Sequence, residues 1–181
     1  MTSPFAIELL ASWQTCPDPI HDTCLTGALR VTINGTVVAD DREYGVAESA
    51  RALMRTITRD HGPNHRVVNA PYLLSHDCGF PDFACSNFGT TWSVTHRDGL
   101  VRLAHVESYS AHPVARGLSF PEADVEIPLA DYRTEVLRFA DDARNAYFAS
   151  GERRILDREQ QRLYAEFWRE YDRLVSSLAE L

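Results

Sequence analysis

The sequence predicts an α+β protein with a mostly antiparallel sheet of about six strands, one helix in its first half and two C-terminal helices packed on one face. Two observations support the sheet. Asn34-Gly35 and Asp98-Gly99 each stand between segments of alternating apolar and polar residues, which is the usual pattern of a β-hairpin. A third observation supports the helices, because apolar residues recur at helical spacing in the remaining segments. The order of the segments also lacks the strand–helix alternation of a parallel sheet.

The chain begins with a predicted strand and a predicted hairpin. Apolar residues occupy every second position over residues 5–13, which indicates a long strand. Residues 16–24 contain two prolines and two aspartates and are predicted to form a loop. The hairpin that follows has Asn34-Gly35 as its turn.

A helix is predicted next, from Glu43 to Asp60, because its apolar residues lie on one face. Residues 61–90 show no clear periodicity and are rich in Gly, Pro, Asn, Asp and Cys. We therefore expect a long irregular loop at about 61–90, within a single domain that spans residues 1–181. A loop of this length is uncommon in a compact domain unless it has a function of its own.

The second hairpin has Asp98-Gly99 as its turn. A two-residue turn would pair Trp92 with His105 and place the apolar side chains on one face of the sheet. His105 is then predicted to be a buried histidine on the inner face. Polar residues such as Ser93 would occupy the other face, as expected for a sheet with one solvated side.

One more strand and two helices complete the prediction. Residues 122–127 alternate between charged and apolar, which indicates a strand. Pro128 is a favourable first residue for the helix that follows. Asp157, with Gln160 three residues later, forms the capping pattern of a last helix.

Composition and charge exclude several classes of function. The net charge is −8, and each half of the chain contributes −4, so we expect no nucleic-acid partner. All 18 basic residues are arginine, which excludes sites that depend on a lysine, such as the P-loop. No apolar run is long enough for a membrane helix, and the N-terminal residues do not resemble a signal peptide. We therefore expect a cytoplasmic protein that does not bind a membrane.

The cysteines and histidines suggest a metal site. His76, Cys78 and Cys85 lie in one predicted loop and are residue types that bind zinc. Six residues separate the two cysteines, whereas structural zinc sites favour a closer pair. Two alternatives stay open: a cysteine nucleophile with a histidine as its base, and ordinary thiols. We expect no cofactor unless this loop binds zinc.

Two further features suggest a protein partner. Glu122, Asp124 and Glu126 share one face of the predicted strand, where three like charges repel one another. They could form a docking surface for a basic protein, a solvated edge that resists strand pairing, or a site for a divalent metal. Trp168 lies beside the apolar stripe of the last helix, where an exposed tryptophan would be an interface anchor.

In size, acidity and predicted antiparallel sheet the chain resembles the immunity proteins of bacterial polymorphic toxin systems, which bind and block a cognate toxin. The resemblance is one of general character over the whole chain, and no residue is carried over from the family. It implies a protein-binding inhibitor whose partner is a protein such as a basic toxin. The alternatives are a small metal-binding protein or hydrolase centred on His76, Cys78 and Cys85, and a structural or regulatory module of another kind.

Overall fold

The computed structural model describes residues 3–14, 20, 23–64, 66–67, 72–77, 84–110 and 117–181. Eight strands and three helices lie within these residues. The strands are β1 (Phe5–Trp13), β2 (Thr26–Ile33), β3 (Thr36–Gly45), β4 (Leu74–Asp77), β5 (Ala84–Arg97), β6 (Leu100–Ser110), β7 (Leu118–Ser119) and β8 (Val125–Pro128). The helices are α1 (Val46–Thr56), α2 (Leu129–Ala149) and α3 (Arg158–Ala179).

The described strands form two antiparallel sheets. The first sheet has the order β1-β2-β3, and the second has the order β4-β5-β6-β7, with β8 also paired to β6. The predicted α+β class with antiparallel strands is confirmed. The strands are more numerous than predicted, because short strands such as β4 and β7 carry too few residues to show a period. They are also divided between two sheets, whereas one sheet was predicted.

Both predicted hairpins are confirmed. Asn34 and Gly35 have φ angles of 52° and 77°, and Asp98 and Gly99 have φ angles of 50° and 78°. Positive φ at both central residues of a two-residue turn matches the twist of the flanking strands, and Asn, Asp and Gly tolerate it best. In the second hairpin Val94 faces Leu103, as predicted.

The predicted first helix is shorter than expected. It runs from Val46 to Thr56, whereas the sequence indicated Glu43 to Asp60. Glu43 and Tyr44 instead continue β3, where they pair with β2. The Tyr44 side chain is buried, and its hydroxyl lies 2.8 Å from Thr90 Oγ1 in the second sheet. This long-range contact favours a strand at residues whose local pattern suits a helix.

The segment 61–90 contains more regular structure than predicted. His61 pairs with Val94 as an isolated antiparallel bridge, β4 lies within the segment, and β5 begins at Ala84. Ser75 faces Gly89 across the β4–β5 pair. The described part of this segment therefore forms one border of the second sheet.

Aromatic side chains join the two sheets to α2 in the core. The Phe5 ring lies 6.1 Å from the Trp92 ring and 5.1 Å from the Tyr132 ring, measured between centroids. All three side chains are almost fully buried. The inner faces of β1 and β5 therefore share one core with α2.

Among the described residues, the last helix packs mainly on α1 and α2, so its placement differs from the prediction of a helix on a sheet face. Glu170 of α3 accepts hydrogen bonds from Arg55 at 2.8 and 2.7 Å and from Arg51 at 3.3 Å. The Arg51 guanidinium also lies 4.3 Å from the centre of the Phe167 ring. These contacts fix α3 to α1.

Side chains of α2 cover part of the free edge of β1. Ile7 N–H donates to Glu135 Oε1 at 2.8 Å, and the Ile7 carbonyl accepts a hydrogen bond from Arg138. An edge strand otherwise presents unpaired backbone groups to other chains. The Glu135–Arg138 pair therefore satisfies and protects the edge at this point.

Candidate functional site

A β-bulge in β6 changes the predicted position of His105. Ser93 faces Ala104, but Thr91 faces Glu107, so β6 contains one extra residue between these pairs. His105 lies in the bulge, with a φ of 51°. Val106 takes the buried position, and the His105 side chain is exposed on the outer face. The prediction of a buried His105 is therefore wrong.

The backbone at His105 is strained. Few residues other than glycine adopt a positive φ, and bulges often redirect a side chain beside a functional site. Strained backbone of this kind concentrates at such sites. The His105 ring points to the outer face of the second sheet, beside a groove.

We call this surface the outer groove, and it consists of two adjoining cavities. The central cavity has a volume of about 310 Å³ and includes the side chains of His61, Arg66, Tyr72, Ser93, His105 and Glu107. The end cavity has a volume of about 280 Å³ and includes Tyr72, Glu107, Tyr109 and Leu118. Tyr72 and Glu107 border both cavities, so the two form one continuous surface.

His61 forms a rigid wall of the central cavity. Its backbone exchanges hydrogen bonds of 2.9 and 2.8 Å with Val94. Val67 N–H donates to His61 Nδ1 at 3.3 Å, so the ring proton is on Nε2, which lies 3.2 Å from Thr91 Oγ1. Burial lowers the pKa of His61 to about 4, and the nearby Arg66 contributes to this shift. His61 is therefore a neutral, oriented side chain at neutral pH.

Ser93 and His105 meet on the floor of the central cavity. Ser93 Oγ and His105 Nδ1 are 3.3 Å apart. The second ring nitrogen, Nε2, forms no hydrogen bond with any residue that the structure describes. A Cβ atom at Gly62 would lie 3.5 Å from Ser93 Oγ, so Gly62 passes directly over the serine. The floor therefore offers hydrogen-bonding groups to a bound molecule.

Two tyrosines form the aromatic end of the groove. The rings of Tyr72 and Tyr109 stack with an interplanar angle of 9° and a centroid distance of 6.0 Å. Tyr72 lies directly against Gly89, where a Cβ atom would be 2.3 Å from Tyr72 Cγ. Tyr109 is 43% exposed and Leu118 is 52% exposed. This end of the groove therefore presents aromatic and aliphatic surface to solvent.

The acidic residues predicted as one strand face are arranged differently. Glu122 lies in a 3₁₀ turn, Asp124 follows the turn, and only Glu126 belongs to β8. Arg102 donates two hydrogen bonds to Asp124, at 3.0 and 2.6 Å. These bonds lower the pKa of Asp124. The expected row of three repelling carboxylates on a strand is therefore wrong, because a turn interrupts it and an arginine neutralises its centre.

The acidic segment is fixed to the first sheet by a hairpin turn. Asn34 Nδ2 donates to the Glu122 carbonyl at 3.0 Å and to the Asp124 carbonyl at 3.3 Å. Val125, the residue after Asp124, faces Leu103 across the β6–β8 pair, two residues before His105. Part of the predicted acidic surface therefore lies beside the floor of the outer groove.

Trp168 does not form an exposed anchor. It is only 8% exposed and lies 4.7 Å from the rings of both Tyr147 and Phe148, measured between centroids. Phe148 is 52% exposed and takes the outer position. The expectation of an exposed Trp168 is therefore wrong, and the residue is part of the contact between α2 and α3.

The candidate metal ligands are only partly within the described structure. His76 belongs to β4 and Cys85 to β5, two strands that pair with Asp77 opposite Ala84. Cys78 lies outside the described residues. In the described portion of the chain, no three His, Cys, Asp or Glu side chains form a group that could hold a metal ion. The zinc site stays a prediction. Cys24, which is described, is a buried free thiol.

Comparisons with protein-family models, curated proteins and solved structures find no match for this chain. Among the described helices, none combines the length and hydrophobicity needed to cross a bilayer.

Proposed function

We propose that the protein functions by binding another protein, as an immunity-type inhibitor does, and that it docks through the outer groove. The observation that carries the proposal is the exposed aromatic end of the groove. Tyr72, Tyr109 and Leu118 lie together there, next to the hydrogen-bonding floor formed by Ser93 and His105. Protein interfaces commonly combine an aromatic anchor with a polar rim.

The charge of the protein supports a basic partner. The net charge is −8, and the exposed carboxylates of Glu107 and Glu126 lie on the same outer face of the second sheet. Opposite charge on a partner accelerates association and favours one orientation of docking. A toxin with a basic surface has this property.

The experiment pairs the purified protein with the purified product of any toxin gene that neighbours its own. Isothermal titration should show one binding site. Replacement of Tyr109 by Ala or of Leu118 by Ser should weaken binding by about 1–2 kcal/mol or more, as expected for an interface anchor. Leu156→Ser is the matched control, because Leu156 is 69% exposed on the segment between α2 and α3.

Equal binding by all three variants and the wild type would exclude the outer groove as the interface. Absence of any toxin partner, together with one equivalent of zinc per chain, would favour the alternative function at His76, Cys78 and Cys85. The two proposals therefore predict different results from the same purified protein.

A further inference from the structure

The end cavity of the outer groove contains one carboxylate and, among the described residues that line it, no basic side chain. That carboxylate belongs to Glu107, which is exposed and forms no ion pair with a residue that the structure describes. Across the sheet Glu107 faces Thr91 of β5 and Ser119 of β7, and neither of these neighbours carries a charge. Arg66 lines the central cavity but not the end cavity. The Glu107 carboxylate is therefore open to a cation from another molecule.

The position of Glu107 relative to Tyr109 is determined by a regular part of the strand. The register between β5 and β6 continues without a shift from Glu107 to Tyr109. Both residues are exposed, whereas Ser108 between them is buried. The carboxylate and the phenol ring therefore stand next to each other on the outer face of the sheet.

Tyr72 supports the Tyr109 ring from one side. The Tyr72 ring lies against Gly89, the residue that faces Tyr109 across the β5–β6 pair, and it stacks on the Tyr109 ring. Burial raises the pKa of the Tyr72 phenol, and Tyr109 and Glu107 add to this rise while Arg66 opposes it. The two rings thus form an aromatic wall beside the Glu107 carboxylate.

A carboxylate beside a tyrosine ring suits the side chain of an arginine. A guanidinium group can donate two hydrogen bonds to a carboxylate and can also stack on an aromatic ring. The aliphatic part of the same side chain can pack on Leu118, which is exposed at the border of the end cavity. A lysine has the charge but not the planar group, so it would use fewer of these contacts.

We propose that the end cavity binds an arginine side chain of the partner protein, with Glu107 as its charge partner and Tyr109 as its stacking surface. This inference rests on the proposed protein-binding function and names the type of residue that the partner contributes. A charge pair in direct contact affects mainly the dissociation rate of a complex, whereas exposed charges elsewhere affect mainly its association rate.

The first test uses N-acetylarginine amide as the probe and follows its binding by NMR of the backbone amides. We expect shifts at Glu107, Tyr109 and Leu118, with a dissociation constant on the order of 10 mM. N-acetylcitrulline amide has nearly the same shape but no charge, and it should bind at least about tenfold more weakly. N-acetyllysine amide should also bind more weakly than the arginine derivative, because its ammonium group is not planar.

Two variants show whether the carboxylate of Glu107 itself selects the probe. Glu107→Gln should remove the preference for the arginine derivative over the citrulline derivative. Glu152→Gln is the matched control, because Glu152 is exposed between α2 and α3 and does not line the end cavity. It removes the same charge and should keep the preference. Equal binding of the two derivatives to the wild type, no binding of the arginine derivative, or the same preference in both variants would overturn the inference.

Measurements with a toxin partner separate this inference from the proposed function. Glu107→Gln should increase the dissociation rate of the complex about tenfold and change its association rate much less. If a toxin binds and Leu118→Ser weakens it while Glu107→Gln does not, the inference fails and the proposed function stands. If no toxin binds but the arginine derivative shows the expected preference, the proposed function fails and the arginine site stands.

Discussion

The Arg102 guanidinium holds the Asp124 carboxylate through two parallel hydrogen bonds, from Nε at 3.0 Å and from Nη2 at 2.6 Å. Arg102 also faces Glu126 across the β6–β8 pair. One arginine thus offsets negative charge at two of the three acidic residues, Asp124 and Glu126. Because both partners of the pair are about half exposed, the pair affects the charge of the surface more than the stability of the fold.

This pair leads to the first prediction. Replacement of Arg102 by Gln should increase the association rate with a basic partner and steepen its dependence on salt, because it releases the charge of Asp124. Glu126→Gln should have the opposite effect. Stopped-flow measurements over a range of salt concentrations test both. Identical salt dependence of the association rate for the two variants and the wild type would show that Arg102, Asp124 and Glu126 lie outside the interface.

The second prediction concerns pH. The folded state keeps the pKa of His61 at about 4, below the ordinary value of 6.5. Between these values the unfolded chain binds a proton that the folded chain does not. The free energy of unfolding should therefore fall as the pH falls through this window, by up to about 3 kcal/mol from this residue.

Urea denaturation between pH 7 and pH 4.5 measures the effect. The His61→Asn variant provides the reference, because its side-chain oxygen can still accept from Val67 N–H but does not titrate. It should be less stable than the wild type at pH 7 and should lose less stability on acidification. A variant with the same pH dependence as the wild type would show that His61 is not the source of the effect.

The third prediction compares two glycines beside the groove. Gly89→Ala should displace the Tyr72 ring and destabilise the protein by about 1–3 kcal/mol, the usual cost of overpacking. At Gly62 a methyl group would be in ordinary contact with Ser93, so Gly62→Ala should be tolerated. Addition of Tyr72→Ala to the Gly89 variant should restore part of the lost stability. Thermal and urea denaturation of the wild type, the two glycine variants and the double variant would measure these differences. Equal losses of stability in Gly89→Ala and Gly62→Ala would contradict the prediction.

The fourth prediction concerns the attachment of α3. Arg51 is almost fully buried and Glu170 is one fifth exposed, so Glu170→Gln removes a carboxylate that accepts a hydrogen bond from a buried guanidinium. We expect a loss of about 2 kcal/mol, between the values for exposed and fully buried pairs. Glu166→Gln removes the anion of an exposed pair with Arg162 on the same helix and should leave stability close to the wild type. Similar losses in the two variants would argue against a special role for Glu170.

The sequence predicts the parts of the fold that depend on a few neighbouring residues. Asn34-Gly35 and Asp98-Gly99 determine their turns, because these residues tolerate positive φ at little cost. The Asp157 cap is also local: its carboxylate accepts from Gln160 N–H at 2.9 Å, as the pattern indicated.

The candidate site depends on contacts that the local pattern does not contain. A bulge at His105 reverses which side of β6 each later residue faces, and no nearby glycine marks it. Without the bulge, Glu107 and Tyr109 would lie on the other face. Similarly, the apolar stripe of α3 indicates that one face of the helix is buried, but it does not indicate which element covers that face. The contacts of Arg51 and Arg55 with Glu170 place α3 against α1.

The hydrogen bonds at Ile7 have a consequence for the chain while it is being synthesised. The two side chains that cover this edge of β1 lie 128 and 131 residues later in the chain. A ribosome that makes about 5–20 residues per second needs several seconds or more to reach them. Throughout that interval the first hairpins can already pair while the edge of β1 is still uncovered. During this period the unpaired edge of β1 can pair with strands of other nascent chains. The period ends only when α2 has been made and its side chains cover the edge.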